Sequence, residues 1–174
     1  MKNTFLVALT LAEGDEVWRK DEPGGADDLS GKKVGSWSTP VFVEADGKTQ
    51  MICSMPSRVL SVDPQTGEEL WFCEGLPSER GDLVYTSTAV ATVVSASRWE
   101  AIKGPALGFT LTGSGEDVTE SNRTWYTPDR QPQRIGTGVI AGDYLYMANA
   151  GPGIVQCIDI KNDGKEMWKA RGTG

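Results

Sequence analysis

Short alternating runs dominate this chain, and none is longer than a strand. TPVFVEA (39–45), TQMICSMP (49–56), RVLSVD (58–63) and ELWFCE (69–74) follow one another, separated by Asp46-Gly47, Pro56-Ser57 and the turn Asp63-Pro64-Gln65-Thr66-Gly67. Apolar and β-branched runs bounded by such pairs predict antiparallel strands joined as hairpins. In the longer turn Asp63 can accept a backbone N–H, Pro64 presets φ and Gly67 tolerates positive φ. RIGTGVIAG (134–142), YLYMANA (144–150), IVQCIDI (154–160) and EMWKA (166–170) repeat the arrangement. Between the two sets, STAVATVVSA (87–96) leads through the less regular SRWEAIKGPA to LGFTLT (107–112). No useful length carries a helical period, so the chain reads as nearly all β.

A phrase closing in tryptophan recurs along this pattern. ALTLAEGDEVW (8–18), SVDPQTGEELW (61–71) and CIDIKNDGKEMW (157–168) share a strand, a turn ending in Gly, a Glu, an apolar residue and Trp. A degenerate copy, LGFTLTGSGEDVTESNRTW (107–125), keeps the strand and the Trp around a longer hairpin. The tryptophans are spaced by 53, 54 and 43 residues. Ser38-Thr39-Pro40-Val41, Ser87-Thr88-Ala89-Val90 and Gly136-Thr137-Gly138-Val139 form a second landmark in phase with the first. Four short strands at a period of roughly 40–50 residues are the mark of propeller blades. The expected organisation is a single all-β propeller segment: the end of a blade at 1–22, a blade at 23–76, a degenerate blade at 77–130 and a blade at 131–174. Trp18, Trp71, Trp125 and Trp168 are then structural docking residues at the seams between blades, where an aromatic covers roughly 150–250 Å².

The phrase VDPQTGEELW, with its copies, resembles the tryptophan-docking repeat of the pyrroloquinoline-quinone-like β-propellers. That family includes quinoprotein alcohol dehydrogenases and a cofactor-free outer-membrane-assembly lipoprotein. The resemblance implies a segment of a larger ring in a bacterial protein, placed in the periplasm or cell envelope. It carries over no cofactor, because the chain has no adjacent-cysteine pair and no match to the family's calcium-holding Glu-Asn-Asp set. The expected function is a non-catalytic binding or scaffold module that recognises a protein or polymer through its loops, or that meets the remaining blades of a ring. The alternative is part of a quinone-dependent dehydrogenase whose cofactor site lies in missing blades.

Composition narrows the chemistry further. Of 174 residues, 24 are acidic and 17 basic, a net charge of −7, which disfavours nucleic acid as a partner because phosphate binding needs clustered positive charge. Histidine is absent, which removes imidazole bases, His-containing triads and the usual zinc sites. No run approaches the roughly 20 apolar residues of a membrane-spanning helix. Cys53, Cys73 and Cys157 read as small buried hydrophobes, with a Cys53–Cys73 bridge left open.

The expected partner contacts come from loop positions rich in Trp and Arg, residue types that anchor interfaces. They are Trp37, Arg58, Arg98 and Trp99. Asp159 to Gly164 hints at a calcium loop, but Lys161 stands where an oxygen ligand belongs, and the repeat accounts for the stretch as a hairpin. The opening MKNTFLVALTLAEG has a basic start, an apolar run and a small residue, a loose fit to an export signal. Its alignment with 61–71 makes Phe5 to Trp18 the last two strands of a blade whose start is missing.

Overall fold

The computed structural model describes residues 4–22, 35–36, 38–55, 58–75, 83–89, 92–97, 104–111, 116–130, 138–149 and 153–172. Strands β1 (Thr4–Leu9) and β2 (Glu16–Glu22) form a two-stranded antiparallel sheet. After β3 (Gly35–Ser36), the strands β4 (Val41–Ala45), β5 (Lys48–Ser54), β6 (Arg58–Val62) and β7 (Glu69–Glu74) make a four-stranded meander. The next sheet holds β8 (Leu83–Ala89), β9 (Thr92–Ser97), β10 (Gly104–Thr110) and β11 (Arg123–Arg130), with β3 added parallel to β8 at its edge. The short helix α1 (Thr119–Asn122) lies between β10 and β11. A last meander comprises β12 (Val139–Ala141), β13 (Tyr144–Asn149), β14 (Ile154–Asp159) and β15 (Lys165–Arg171).

The sequence expectation of serial hairpin strands is met, with local differences. Within STAVATVVSA, residues 87–89 belong to β8 and residues 92–96 to β9, and the two strands pair with each other. Strand β8 already begins at Leu83, ahead of that run. The helix α1 was not expected, and four residues of Thr, Glu, Ser and Asn carry no apolar period that would announce it.

Each docking tryptophan obeys one rule of register. Trp18 pairs with Ala8, Trp71 with Ser61, Trp125 with Gly108 and Trp168 with Cys157. In all four sheets the residue opposite is small, and the register slips immediately after it, between Ala8 and Leu9, Ser61 and Val62, Gly108 and Phe109, and Cys157 and Ile158. The small residue leaves room for the indole. The bulge sharpens the local twist, which re-aims a side chain away from its own sheet.

Burial follows the seams between sheets rather than one central core. Both faces of the β4–β7 sheet are covered, and alternation sorts its residues between them. Cys53, Met55, Leu60 and Val62 form one cluster, joined by Leu6 of β1 and by Phe72. Ile52, Val59, Trp71 and Cys73 form another with Leu107, Phe109 and Val118 of the following sheet. The third cluster packs Trp125 among Leu145, Met147, Ile158 and Ile160. Cys53 and Cys73 therefore face opposite seams, so the bridge left open above does not form. All three cysteines are buried and free.

The long hairpin of the degenerate copy has a structural use. The Phe72 amide donates to the Glu116 carbonyl (2.8 Å) and the Val118 amide to the Phe72 carbonyl (2.9 Å), so residues 116–118 run parallel to β7 at its outer edge. The Glu74 amide adds a bond to Thr119 Oγ1 at 2.9 Å. An edge strand that would otherwise present unpaired amides is covered.

Candidate functional site

Among the described residues, the seam between the first two sheets carries a dense polar arrangement. It begins with the turn at Asp63, whose Oδ1 accepts from the amides of Gln65 (2.7 Å) and Thr66 (3.2 Å), while the Gly67 amide donates to the Asp63 carbonyl (2.8 Å). These bonds hold Gly67 at φ 74° and present its bare Cα. The Trp18 indole occupies that place: a Cβ on Gly67 would stand 2.6 Å from Trp18 Cε3. Trp18 Nε1 also donates to the Pro64 carbonyl at 3.1 Å.

Beside the indole lies a chain of four charges. Arg58 grips Glu22 with two bonds, Nε to Oε1 at 2.6 Å and Nη2 to Oε2 at 3.1 Å. It also reaches Glu69, through Nη1 to Oε1 at 3.2 Å and Nη2 to Oε2 at 2.9 Å. Lys20 Nζ completes the set at 3.0 Å from Glu69 Oε2. Glu22 and Lys20 belong to β2, Arg58 and Glu69 to the next sheet, so every pair except Arg58–Glu69 crosses the seam. The Glu22 side chain is fully buried and that of Arg58 is 13% exposed. The guanidinium also lies 4.5 Å above the Phe72 ring.

Burial alone would raise the Glu69 carboxyl, but hydrogen bonds from Lys20 and Arg58, with their positive charges, outweigh it and hold Glu69 below its ordinary value. Nearby, burial, reinforced by the Glu22 charge, pushes the Cys53 thiol up to about 12. A cleft of about 130 Å³ opens at this seam, lined by Phe5, Leu6, Pro40, Cys53 and Met55 among others. Cys53 presents a neutral thiol there and is a poor nucleophile.

Of the four expected contact residues, Trp37, Arg98 and Trp99 lie outside the described residues. Arg58 is turned inward on Glu22 and Glu69. The four docking tryptophans differ in cover: Trp71 and Trp125 are buried, Trp18 is half-buried on Gly67, and Trp168 is 47% exposed. Trp71 Nε1 donates to Gln50 Oε1 at 2.9 Å, and the same oxygen accepts from Ser61 Oγ at 2.8 Å. The Trp71 ring meets Phe109 edge-on, with centroids 5.4 Å apart. Trp125 covers Gly164 in the Asp159–Gly164 turn, where a Cβ would stand 2.7 Å from Trp125 Cδ2. That turn is the hairpin of the repeat, with Asp159 Oδ1 accepting from the Lys161 amide at 3.0 Å.

Sequence reasoning missed Glu22, Lys20, Glu69 and Gln50. One signal was available for Glu69: a Glu stands two residues before Trp in Glu16, Glu69 and Glu166 alike. Among the described residues no group of three or more His, Cys, Asp or Glu side chains is placed to hold a metal ion.

The family model for the outer membrane protein assembly factor BamB matches residues 2–170. The chain belongs to this family. Among solved structures, BamB from Moraxella catarrhalis superposes with a TM-score of 0.53 at 13% identity, over 97% of this chain and 42% of that one. At that identity the likeness shows the fold, a pyrroloquinoline-quinone-like β-propeller built of antiparallel sheets. This BamB-family chain thus spans 42% of the length of the solved relative. No curated protein matches it.

Proposed function

We propose that the chain is a non-catalytic scaffold module that binds a protein or polymer through the loops of its propeller face. The observation that carries this reading is the use made of the repeated residues. Tryptophan, turn glycine, acidic and basic side chains at the seams are spent on holding one sheet against the next, which makes a stiff platform for loops. The family to which the chain belongs is named for outer membrane protein assembly, which favours a polypeptide of that system as the partner and the cell envelope as the place. Trp99, with Arg98 and Trp37, is assigned the contact. Arg58 is assigned the supporting role of fixing the seam behind it.

The test titrates a urea-solubilised outer-membrane β-barrel polypeptide, diluted into buffer, against the chain. Binding that weakens at least tenfold in Trp99→Ala, with an unchanged far-UV spectrum and melting temperature, supports the reading. No binding by the wild type overturns it, and loss of folding in Trp99→Ala would make that residue part of the packing. Pyrroloquinoline quinone with calcium forms the second arm. Under this reading neither absorbance nor thermal stability changes, and tight binding would instead favour a dehydrogenase segment.

A further inference from the structure

Residues 116–119 lie along β7 as a strand that stops short. Their phrase, 107–125, is 19 residues long where the copies at 8–18 and 61–71 take 11, so this piece of chain is an addition to the repeat. The Phe72 amide and carbonyl are met by the Glu116 carbonyl and the Val118 amide, the alternation of a parallel ladder. The next rung of such a ladder would join the Glu74 amide to the Val118 carbonyl. That carbonyl accepts from the Asn122 amide instead, at 2.9 Å, because the chain has turned into α1.

Side chains fill the missing rung. The Glu74 amide donates to Thr119 Oγ1 at 2.9 Å, and the Glu74 carbonyl accepts from Arg123 Nη1 at 3.5 Å. Asp117 Oδ1 holds the bend by accepting from the Thr119 amide at 2.9 Å. Of the segment only Val118 is buried, in the cluster that contains Val59, Trp71 and Phe109, while Glu116 and Asp117 are exposed. All of these groups belong to the two middle sheets of the series, with β7 the last strand of its own.

We propose that the outer edge of β7 docks an extended polypeptide segment of alternating apolar and polar residues, and that residues 116–119 are the chain's own occupant, displaced when that segment binds. That the occupant is a polypeptide rests on the function proposed above. An incoming strand parallel to β7 repeats both bonds at Phe72 and supplies main-chain partners at Glu74, where side chains now stand. It also sets one apolar side chain in the place of Val118. Such alternation is that of a barrel strand, apolar at every second residue. Main-chain bonds give the affinity and the one apolar position fixes the register. With the edge already occupied, the observed affinity is the intrinsic one reduced by the fraction of chains in which the segment has lifted.

Fluorescence anisotropy with a labelled peptide of alternating valine and threonine between charged ends tests this on the 174-residue chain. The wild type should bind it. Thr119→Val and Asp117→Ala, which loosen the resident segment and leave Val118 in place, should each bind about 2- to 10-fold tighter, the worth of one hydrogen bond. Since Val118 is the residue whose amide bonds to Phe72, N-methylation of the peptide's valines should weaken binding about tenfold or more, and N-methylation of its threonines should not. In the wild type, saturating peptide should speed exchange of the Val118 amide and leave that of Phe72 slow. No binding of the peptide, indifference to valine N-methylation, or unchanged Val118 exchange at saturation overturns the proposal. Affinity that Trp99→Ala lowers and the two loosening variants leave unchanged, in proteins with the wild-type far-UV spectrum, overturns the edge while the loop reading stands.

Discussion

Gly164 has no side chain because Trp125 occupies the place where one would begin: a Cβ there would lie 2.7 Å from the indole Cδ2. The same turn holds Gly164 at φ 63°, so two separate costs attend any substitution. Gly164→Ala should destabilise by about 2–4 kcal/mol, adding the strain of positive φ to that of an overfilled seam. Gly142 has φ 61° and open space around it, so Gly142→Ala should cost only about 1–2 kcal/mol. Urea unfolding of both variants measures the difference, and equal losses would mean that the indole contact contributes nothing.

Removing Arg58 should be more damaging than removing an ordinary surface arginine. Its two bonds to the fully buried Glu22 carboxylate have no replacement, and breaking a buried pair from one side costs about 3–5 kcal/mol. Arg58→Ala should fall in that range, while the joint variant Glu22→Gln with Arg58→Met should recover much of the loss. Chemical denaturation of Glu22→Gln, Arg58→Met and the joint variant gives the coupling. Strict additivity would argue against a clasp.

Glu69 makes part of the seam sensitive to acid. Its folded carboxyl is held below the ordinary value near 4.5 that applies in the unfolded chain. Its stabilisation is therefore complete above that value and is lost as pH falls through it and then through the folded value. Glu69→Gln should flatten this part of the acid limb and lower stability at neutral pH. Melting temperatures of both proteins between pH 3 and 7 provide the check.

The three buried thiols should resist alkylation in the folded chain at pH 8 and react together once urea unfolds it. Burial pushes Cys53 up to about 12 and Cys73 to about 11, so the unfolded chain, with thiols near 9, gives up its protons first as pH rises. Stability should fall from about pH 9 upward, and Cys53→Val with Cys73→Val should remove much of that slope. Rapid labelling under native conditions would contradict the burial of these side chains.

Gln50 Oε1 accepts from both Ser61 Oγ and Trp71 Nε1 in a buried pocket, so Gln50→Leu strands two donors at once. A loss of about 2–6 kcal/mol is expected, since each buried unsatisfied group costs about 1–3. Adding Ser61→Ala and Trp71→Phe should return part of it, measured by urea midpoint. A Gln50→Leu variant as stable as the wild type would sink this account.

The propeller was legible because its defining contacts repeat. Tryptophan, turn glycine and the small residue across from each indole recur, and four imperfect copies are enough to expose a shared spacing. Unique contacts left no such trace. Glu22 and Arg58 meet across 36 residues of sequence, and Phe5, the counterpart of Arg58 in the first copy, carries no charge. A lone arginine after Pro56-Ser57 looks like a loop contact, and nothing local says that a buried carboxylate waits for it. The irregular middle copy hid its purpose for a related reason. Its extra residues serve the edge of β7, in the preceding sheet, rather than their own.

Among the described residues the apolar interior is divided among three seams, and this has a thermal consequence. Sheets that share no common core answer mainly to their neighbours, so free energy accumulates along the series much as it does along a zipper. Melting should begin at the flank where β15 stands uncovered and travel inward sheet by sheet, giving a transition broader than a single cooperative step. Hydrogen exchange should grade the same way, fastest in β15 and slowest in β5 and β6, which are covered on both sides.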